Sequence, residues 1–159
     1  MQHFEYNGRT YILEYEHDDC HGAPWEECDG YGIVSDWTKR AKRPGELILT
    51  ESRGSYRYYD FQQSCQIARR DGWDAKPYNI GQETKRQQAA KAALADYECL
   101  RKWCNDEWCY VVLTVRRADS CECCGDSVSL GGVESWQGDD SHMIDCAAEL
   151  AQELESRYE

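Results

Sequence analysis

The most regular alternation of apolar and polar residues lies between residues 83 and 117. From Glu83 to Cys104, apolar residues recur at intervals of three and four, which predicts a helix with one buried stripe. From Trp108 to Arg117 the period falls to two, which predicts a strand with alternate residues from Cys109 to Val115 on one face. Asn105–Glu107 separates the two patterns and is therefore interpreted as the turn that docks the helix onto a sheet.

Two hairpins and a further strand are predicted from turn signals. Residues 4–16 contain extended segments on either side of Asn7-Gly8, a pair that tolerates positive φ and favours a tight turn. Residues 46–59 contain two more extended segments around Ser52-Arg53-Gly54. Residues 127–130 are predicted to return as the hairpin partner of the strand that begins at Trp108.

Two more helices are predicted from capping residues and apolar stripes. Asp60 can cap a helix that ends at Asp71-Gly72. Ser141 can cap the last helix, which has a continuous apolar stripe. The residues of that stripe are Met143, Ala147, Leu150, Ala151 and Leu154.

This order of elements predicts an α+β fold, with an antiparallel sheet of about five to seven strands and about three helices packed mainly on one face. A length of 159 residues fits a single domain over residues 1–159. No run of apolar residues is long enough to span a membrane, and the first residues lack the pattern of a secretory signal. We therefore expect a soluble cytoplasmic protein that does not bind membranes.

The charge of the chain is strongly negative and unevenly distributed. Thirty acidic and 18 basic residues give a net charge of −12, which argues against direct binding to duplex nucleic acid because such binding needs Lys and Arg at phosphates. Residues 1–30 have a net charge of −7 and residues 118–159 of −10, whereas residues 31–117 have +5. A partner protein with a basic groove fits this distribution better than a nucleic acid does.

The last helix repeats its acids every four residues. Asp145, Glu149 and Glu153 place carboxylates along one edge, and each like-charge pair costs an isolated helix about 0.2 to 0.5 kcal/mol. The edge is either a solvated face or a surface that imitates the phosphates of DNA. On the second hypothesis, the candidate partner-binding residues are Asp18, Asp19, Glu26, Glu27, Asp29, Asp139, Asp140, Asp145, Glu149 and Glu153.

Ten cysteines suggest zinc as the one cofactor to consider. Zinc takes four N or S ligands, and Cys121, Cys123 and Cys124 form the tightest cluster, although their spacing is not that of a standard zinc module. Cys109, His142 or Cys146 could complete such a site. A second group of suitable ligand types is His17, Cys20, His21 and Cys28. Unliganded thiols are the alternative for both groups.

Catalytic motifs are weak. His17-Asp18 resembles half of a metal phosphohydrolase dyad, but its second half is missing. No phosphate-binding loop, nucleophile elbow or H-E-x-x-H motif is present in the sequence. We therefore expect no catalytic residues, and a metal-dependent phosphoester hydrolase is the least favoured alternative.

Three stretches resemble a group of uncharacterised small acidic proteins encoded by tailed bacteriophages. They are residues 17–37, from His17-Asp18-Asp19 through Asp36-Trp37, Trp103–Tyr110 and Ser129–Ser135. The resemblance implies a setting, the cytoplasm of an infected bacterial host, and no activity. Several cysteines, notably those near Cys121, lie outside the shared pattern, which weakens the zinc hypothesis.

The leading hypothesis from the sequence is a non-enzymatic phage protein that inhibits a bacterial host or defence protein through its acidic ends. A nucleic-acid-handling complex such as a CRISPR effector is one target with a basic groove. The alternative is a zinc-stabilised accessory module that binds protein or RNA.

Overall fold

The structure is a computed structural model that describes residues 1–27, 29–73, 83–121, 125–136 and 139–158, with the side chain of residue 136 excepted. The described residues form seven strands and four helices. In chain order these are β1 (Gln2–Tyr6), β2 (Arg9–His17), α1 (Pro24–Glu27), β3 (Ile33–Val34), β4 (Glu46–Ser52), β5 (Ser55–Asp60), α2 (Phe61–Asp71), α3 (Lys85–Cys104), β6 (Trp108–Arg117), β7 (Ser127–Trp136) and α4 (Ser141–Ser156). No described helix has the length and apolar character needed to cross a membrane.

The chain divides into two compact units. The first, here called the terminal unit, combines Met1–His21 with Glu107–Glu159. The second, the central unit, is the intervening segment Gly22–Asp106. Each unit has its own sheet and its own hydrophobic core, so each is described by itself.

The terminal unit is a four-stranded antiparallel sheet in the order β1-β2-β6-β7, with α4 packed on β6 and β7. Alternate residues of the strands enter one core with the apolar stripe of α4, as the two-residue and 3.6-residue periods predict. Burying these side chains supplies the main stabilisation of the unit. The most deeply buried are Tyr11, Leu13, Leu113, Val115, Ala147, Ala151 and Leu154.

Both predicted hairpins are confirmed. Asn7 and Gly8 have φ values of 48° and 74°, and they join Tyr6 to its partner Arg9 in a two-residue turn. In the central unit, Arg53 and Gly54 have φ values of 50° and 75° and play the same part. The positive φ values make each turn's twist compatible with the flanking strands.

The central unit has a three-stranded antiparallel sheet in the order β3-β5-β4, with α2 and α3 packed on each other and on β4. Asp60 caps α2 by accepting the Gln63 N–H at 2.9 Å, as the sequence predicts. Thr84 and Gln87 form a capping box that begins α3. Leu49, Tyr59 and Leu100 form the buried centre of this unit.

The predicted α+β class with antiparallel pairing is confirmed, but the prediction of one sheet is wrong. The seven strands are divided between two sheets, and the helices are divided in the same way. Asn105–Glu107 does end α3, but the boundary between the units falls after Asp106, and α3 packs on α2 and β4 within the central unit. The single domain over residues 1–159 stays a prediction.

Glu46 gives the central unit a stability that depends on pH. The Arg40 guanidinium donates to both carboxylate oxygens, at 2.6 and 2.8 Å, and lowers the Glu46 pKa to about 2. Because the pKa is lowered in the folded state, the stabilisation is complete above the unfolded value near 4.5 and is lost as pH falls toward 2. We expect Glu46→Gln to lower the free energy of unfolding at pH 7 by about 1 to 3 kcal/mol.

Urea unfolding at pH 7, 4 and 3 measures this effect. The difference between the wild type and Glu46→Gln should shrink at pH 3, whereas the exposed Glu51 of the same strand, changed to Gln, should have little effect at any pH. A difference that stays constant from pH 7 to pH 3 would contradict the assignment.

Candidate functional site

The net negative charge of the protein lies entirely in the terminal unit. By sequence, the terminal unit contains 17 acidic residues and four arginines, a net charge of −13. The central unit contains 13 acidic and 14 basic residues, a net charge of +1. The acidic surface is therefore a property of one unit, although Glu26, Glu27 and Asp29 of the predicted set belong to the other.

Each arginine of the terminal unit is already in an ion pair. Ion pairs formed by exposed side chains add little stability, but each one neutralises a carboxylate. The other acidic residues of this unit therefore have no unpaired arginine of the same unit to neutralise them. The pairs are Arg9–Glu155 at 3.7 Å, Arg116–Glu14 at 3.6 Å, Arg117–Asp119 at 2.7 Å and Arg157–Glu153 at 2.7 Å.

Helix α4 presents part of this excess. Asp145, Glu149 and Glu153 are exposed, and their spacing of four residues corresponds to about 6 Å along the helix axis. Glu153 is neutralised by Arg157, whereas Asp145 and Glu149 have no ion-pair partner among the described residues. The predicted edge of three carboxylates therefore has two uncompensated charges.

Asp139 and Asp140 lie just before α4. Asp139 accepts hydrogen bonds from the backbone N–H and the hydroxyl of Ser141, at 3.1 and 2.6 Å, and these bonds lower its pKa. Asp140 is exposed and makes no side-chain capping bond to the helix. Both residues stay in the exposed set near the start of α4.

Asp18 has a structural position. Only 8% of the residue is exposed, and its carboxylate accepts N–H bonds from Gly132 at 2.8 Å and from Cys20 at 3.1 Å. The Gly132 bond is the main cause of a pKa below the usual range. A Cβ at position 131 would lie 2.9 Å from this carboxylate, so Gly131 is needed for the approach. The structure therefore assigns Asp18 to the link between the β2 end and β7, and not to an exposed surface.

The remaining acids of the 17–29 loop differ in their surroundings. The Asp19 carboxylate is exposed and lies 2.9 Å from His17 Nδ1. Glu26 and Glu27 accept N–H bonds from Ala23 and Gly22 at the start of the short α1, at 3.4 and 3.2 Å. Asp29 is exposed.

The zinc groups predicted from the sequence are only partly described. Cys121 is exposed, while Cys123, Cys124 and Cys28 lie outside the described residues. Within the described ranges no three His, Cys, Asp or Glu side chains are grouped as metal ligands. Zinc stays a prediction.

The other proposed zinc ligands have protein contacts. His21 packs on the Tyr110 ring at 4.0 Å, and the Cys109 thiol lies 3.4 Å from the Ser135 hydroxyl. His142 Nε2 lies 3.9 Å from the Cys146 sulfur.

Sequence reasoning missed an aromatic cavity in the central unit. The cavity has a volume of about 370 Å³ and is lined by three indole rings and the guanidinium of Arg57. The Arg57 Cζ lies 5.2 Å from the ring centres of both Trp25 and Trp37, and Trp25 meets Trp103 edge to face at 5.3 Å. The sequence signal is only the high number of tryptophans, since these residues are separated by up to 78 positions.

Comparison with known proteins gave no relative: no family model, no curated protein and no solved structure matches this chain. The functional argument therefore depends on the residues and their arrangement.

We expect Asp18→Ala to lower the midpoint of thermal unfolding, because it leaves the Gly132 and Cys20 N–H groups without their acceptor. Asp19→Ala is the matched control, since the neighbouring carboxylate is exposed. Circular dichroism melts of both variants measure the effect. Equal midpoints for the two variants would contradict a structural role for Asp18.

We expect Glu149→Lys to raise the stability of the protein by about 1 kcal/mol, because it replaces two like-charge pairs on α4 by two opposite-charge pairs. Gln152→Lys makes a smaller change of charge on the same exposed side and serves as the control. Urea unfolding at low salt measures both variants. A loss of stability in Glu149→Lys would mean that the carboxylate has a structural partner.

Proposed function

We propose that the protein is a phage-encoded inhibitor that binds a basic groove on a bacterial host or defence protein through the acidic surface of its terminal unit. It acts by occupying the groove, without catalysing a reaction. The observation that supports this proposal is the net charge of −13 in one unit whose four arginines are all in ion pairs.

Charge density limits what α4 can do alone. One strand of DNA has a phosphate about every 3.4 Å along the axis, whereas the carboxylates of α4 recur about every 6 Å. The helix edge therefore has about half the charge density of one strand. Binding at DNA-like affinity needs other carboxylates of the terminal unit, and Asp139, Asp140 and Asp19 are the exposed candidates from the predicted set.

The electrostatics also indicate how such binding would proceed. A surface with a large excess of one sign attracts an oppositely charged groove over a distance of about 8 Å at physiological salt. Long-range attraction raises the association rate more than it raises the final affinity. The partner is expected to be a protein that normally handles nucleic acid, in the cytoplasm of the infected host, and a CRISPR effector is one member of that class.

We expect the double variant Asp145→Lys, Glu149→Lys to lose binding to host proteins that the wild type captures at low salt. Immobilised wild-type and variant proteins are incubated with lysate of a bacterial host across a salt series, and the retained proteins are compared. For a captured basic partner, the charge reversal should lower affinity by about tenfold or more at low salt and have a smaller effect at high salt.

The matched control is Asp36→Lys, Glu51→Lys, which makes the same change of net charge at two exposed residues of the central unit. The proposal requires this control to bind like the wild type. It would be contradicted by equal losses in both double variants, by binding that does not depend on salt, or by the absence of any basic partner.

A further inference from the structure

The cavity in the central unit is built by elements that hold its side chains in fixed relation. Arg57 is on β5, where it pairs in register with Thr50 of β4. Trp37 is held beside β5 because its neighbour Thr38 exchanges two backbone hydrogen bonds with Tyr56, at 2.9 and 2.8 Å. Trp103 lies at the end of α3 and Trp25 in α1. Two strands and two helices therefore contribute residues to the wall of the cavity.

Arg57 is the unusual residue in this cavity. Its guanidinium is half-buried between the Trp25 and Trp37 rings, so the indoles cover its faces. Its guanidinium makes one long hydrogen bond, of 3.5 Å, from Nη1 to the Ser35 carbonyl. Among the described residues it has no carboxylate partner, although a guanidinium has five N–H donors. Most of these donors are available to a ligand.

The other lining residues determine which chemical groups a ligand should have besides an anion. The indoles of Trp25, Trp37 and Trp103 offer surfaces on which a planar ring can stack. Cys104 also lines the cavity, and burial raises the pKa of its thiol to about 11, so it is a neutral, weakly polar wall. Glu26 lines the cavity as well, and its carboxylate, one oxygen of which accepts the Ala23 N–H at 3.4 Å, has further acceptor capacity for a ring N–H.

Several classes of ligand fit poorly. A quaternary ammonium or methylated lysine suits an aromatic cage, but the Arg57 charge repels a second cation. A purely apolar ligand would cover the Arg57 donors without replacing their bonds to water. A volume of about 370 Å³ is near the lower limit of small-molecule sites, about 300 to 1,000 Å³, and is too small for a dinucleotide cofactor.

We propose that this cavity is a binding site for a nucleoside monophosphate, with the phosphate on Arg57 and the base stacked on the indole rings. The planar fork of an arginine matches the oxygens of a phosphate. Glu26 would accept a ring N–H of the base, which disfavours adenine and cytosine because their nucleotides lack one, and guanine offers a larger ring for stacking than uracil does. The site belongs to the central unit, so it is independent of the acidic surface proposed above.

The test uses the full-length protein with nitrogen-15 label in its six tryptophans. Their indole N–H resonances are followed by NMR while guanosine 5′-monophosphate, guanosine or inorganic phosphate is added at constant ionic strength. Substitutions of Trp25, Trp37 and Trp103 by Phe assign the resonances. We expect the monophosphate to shift these three resonances to saturation, and guanosine and phosphate each to bind at least about tenfold more weakly.

Two variants and a control test the roles of the residues. Arg57→Gln should lower the affinity for the monophosphate by about tenfold or more, and Trp37→Ala by about tenfold through the loss of stacking. Trp37 is 45% exposed, so this truncation leaves the core of the unit in place. Arg69→Gln, at an exposed position of α2, makes the same charge change and should have no effect. Thermal unfolding of each variant checks that it is folded.

Three results would overturn the proposal. The first is no shift at the three indoles with the monophosphate. The second is equal binding of guanosine and the monophosphate, which would remove Arg57 from the site. The third is equal binding of inorganic phosphate and the monophosphate, which would remove the stacked base. The trials with wild-type protein decide these points even if Arg57→Gln does not fold.

Discussion

The antiparallel pairing of β2 with β6 is the constraint on which the terminal unit depends. It joins residues 11–17 to residues 111–117, so seven residue pairs close a loop of about one hundred residues. Closing a loop of that length costs conformational entropy. Burial of apolar surface offsets this cost in the core that α4 forms with Tyr11, Leu13, Leu113 and Val115. Just beyond the last pair, the Asp18 carboxylate accepts the Gly132 N–H and so ties the end of β2 to β7.

The same pairing determines where the charge lies. The two acidic ends of the sequence are far apart along the chain, but residues 1–21 and 107–159 fold into one unit. The basic residues are mostly in the intervening segment and so belong to the other unit. One chain therefore combines a strongly acidic unit with a nearly neutral unit that contains an aromatic cavity.

The sequence predicted the local features well because local physics determines them. Asn7-Gly8 needs only its own φ values to make a turn, and the Asp60 cap needs only the first turn of α2. The division into two sheets was not predictable, because a strand's periodicity does not identify its neighbours. Burial along a strand was not fully predictable either: Tyr15 shares a face with Tyr11 and Leu13 but is 54% exposed, and it lies beyond the residues of β2 that pair with β1.

For the candidate sites too, the sequence predicted what depends on neighbouring residues and missed what depends on distant ones. The exposure of Asp145 and Glu149 followed from the helical period of the last helix, which also places Met143, Ala147 and Leu154 in the core. The burial of Asp18 did not, because its partner Gly132 is 114 residues away. The cavity around Arg57 needed the meeting of four separate elements, so no spacing in the sequence could indicate it.

All four basic side chains of the terminal unit are arginines, and all six lysines of the sequence fall between residues 39 and 102, in the central unit. Amine-directed cross-linkers and acylating labels therefore have no side-chain target in the terminal unit. Lysine footprints collected with such reagents would report contacts of the central unit, even for a partner that covers α4. Reagents that activate carboxyl groups have the opposite bias, and they address the surface on which the excess charge lies.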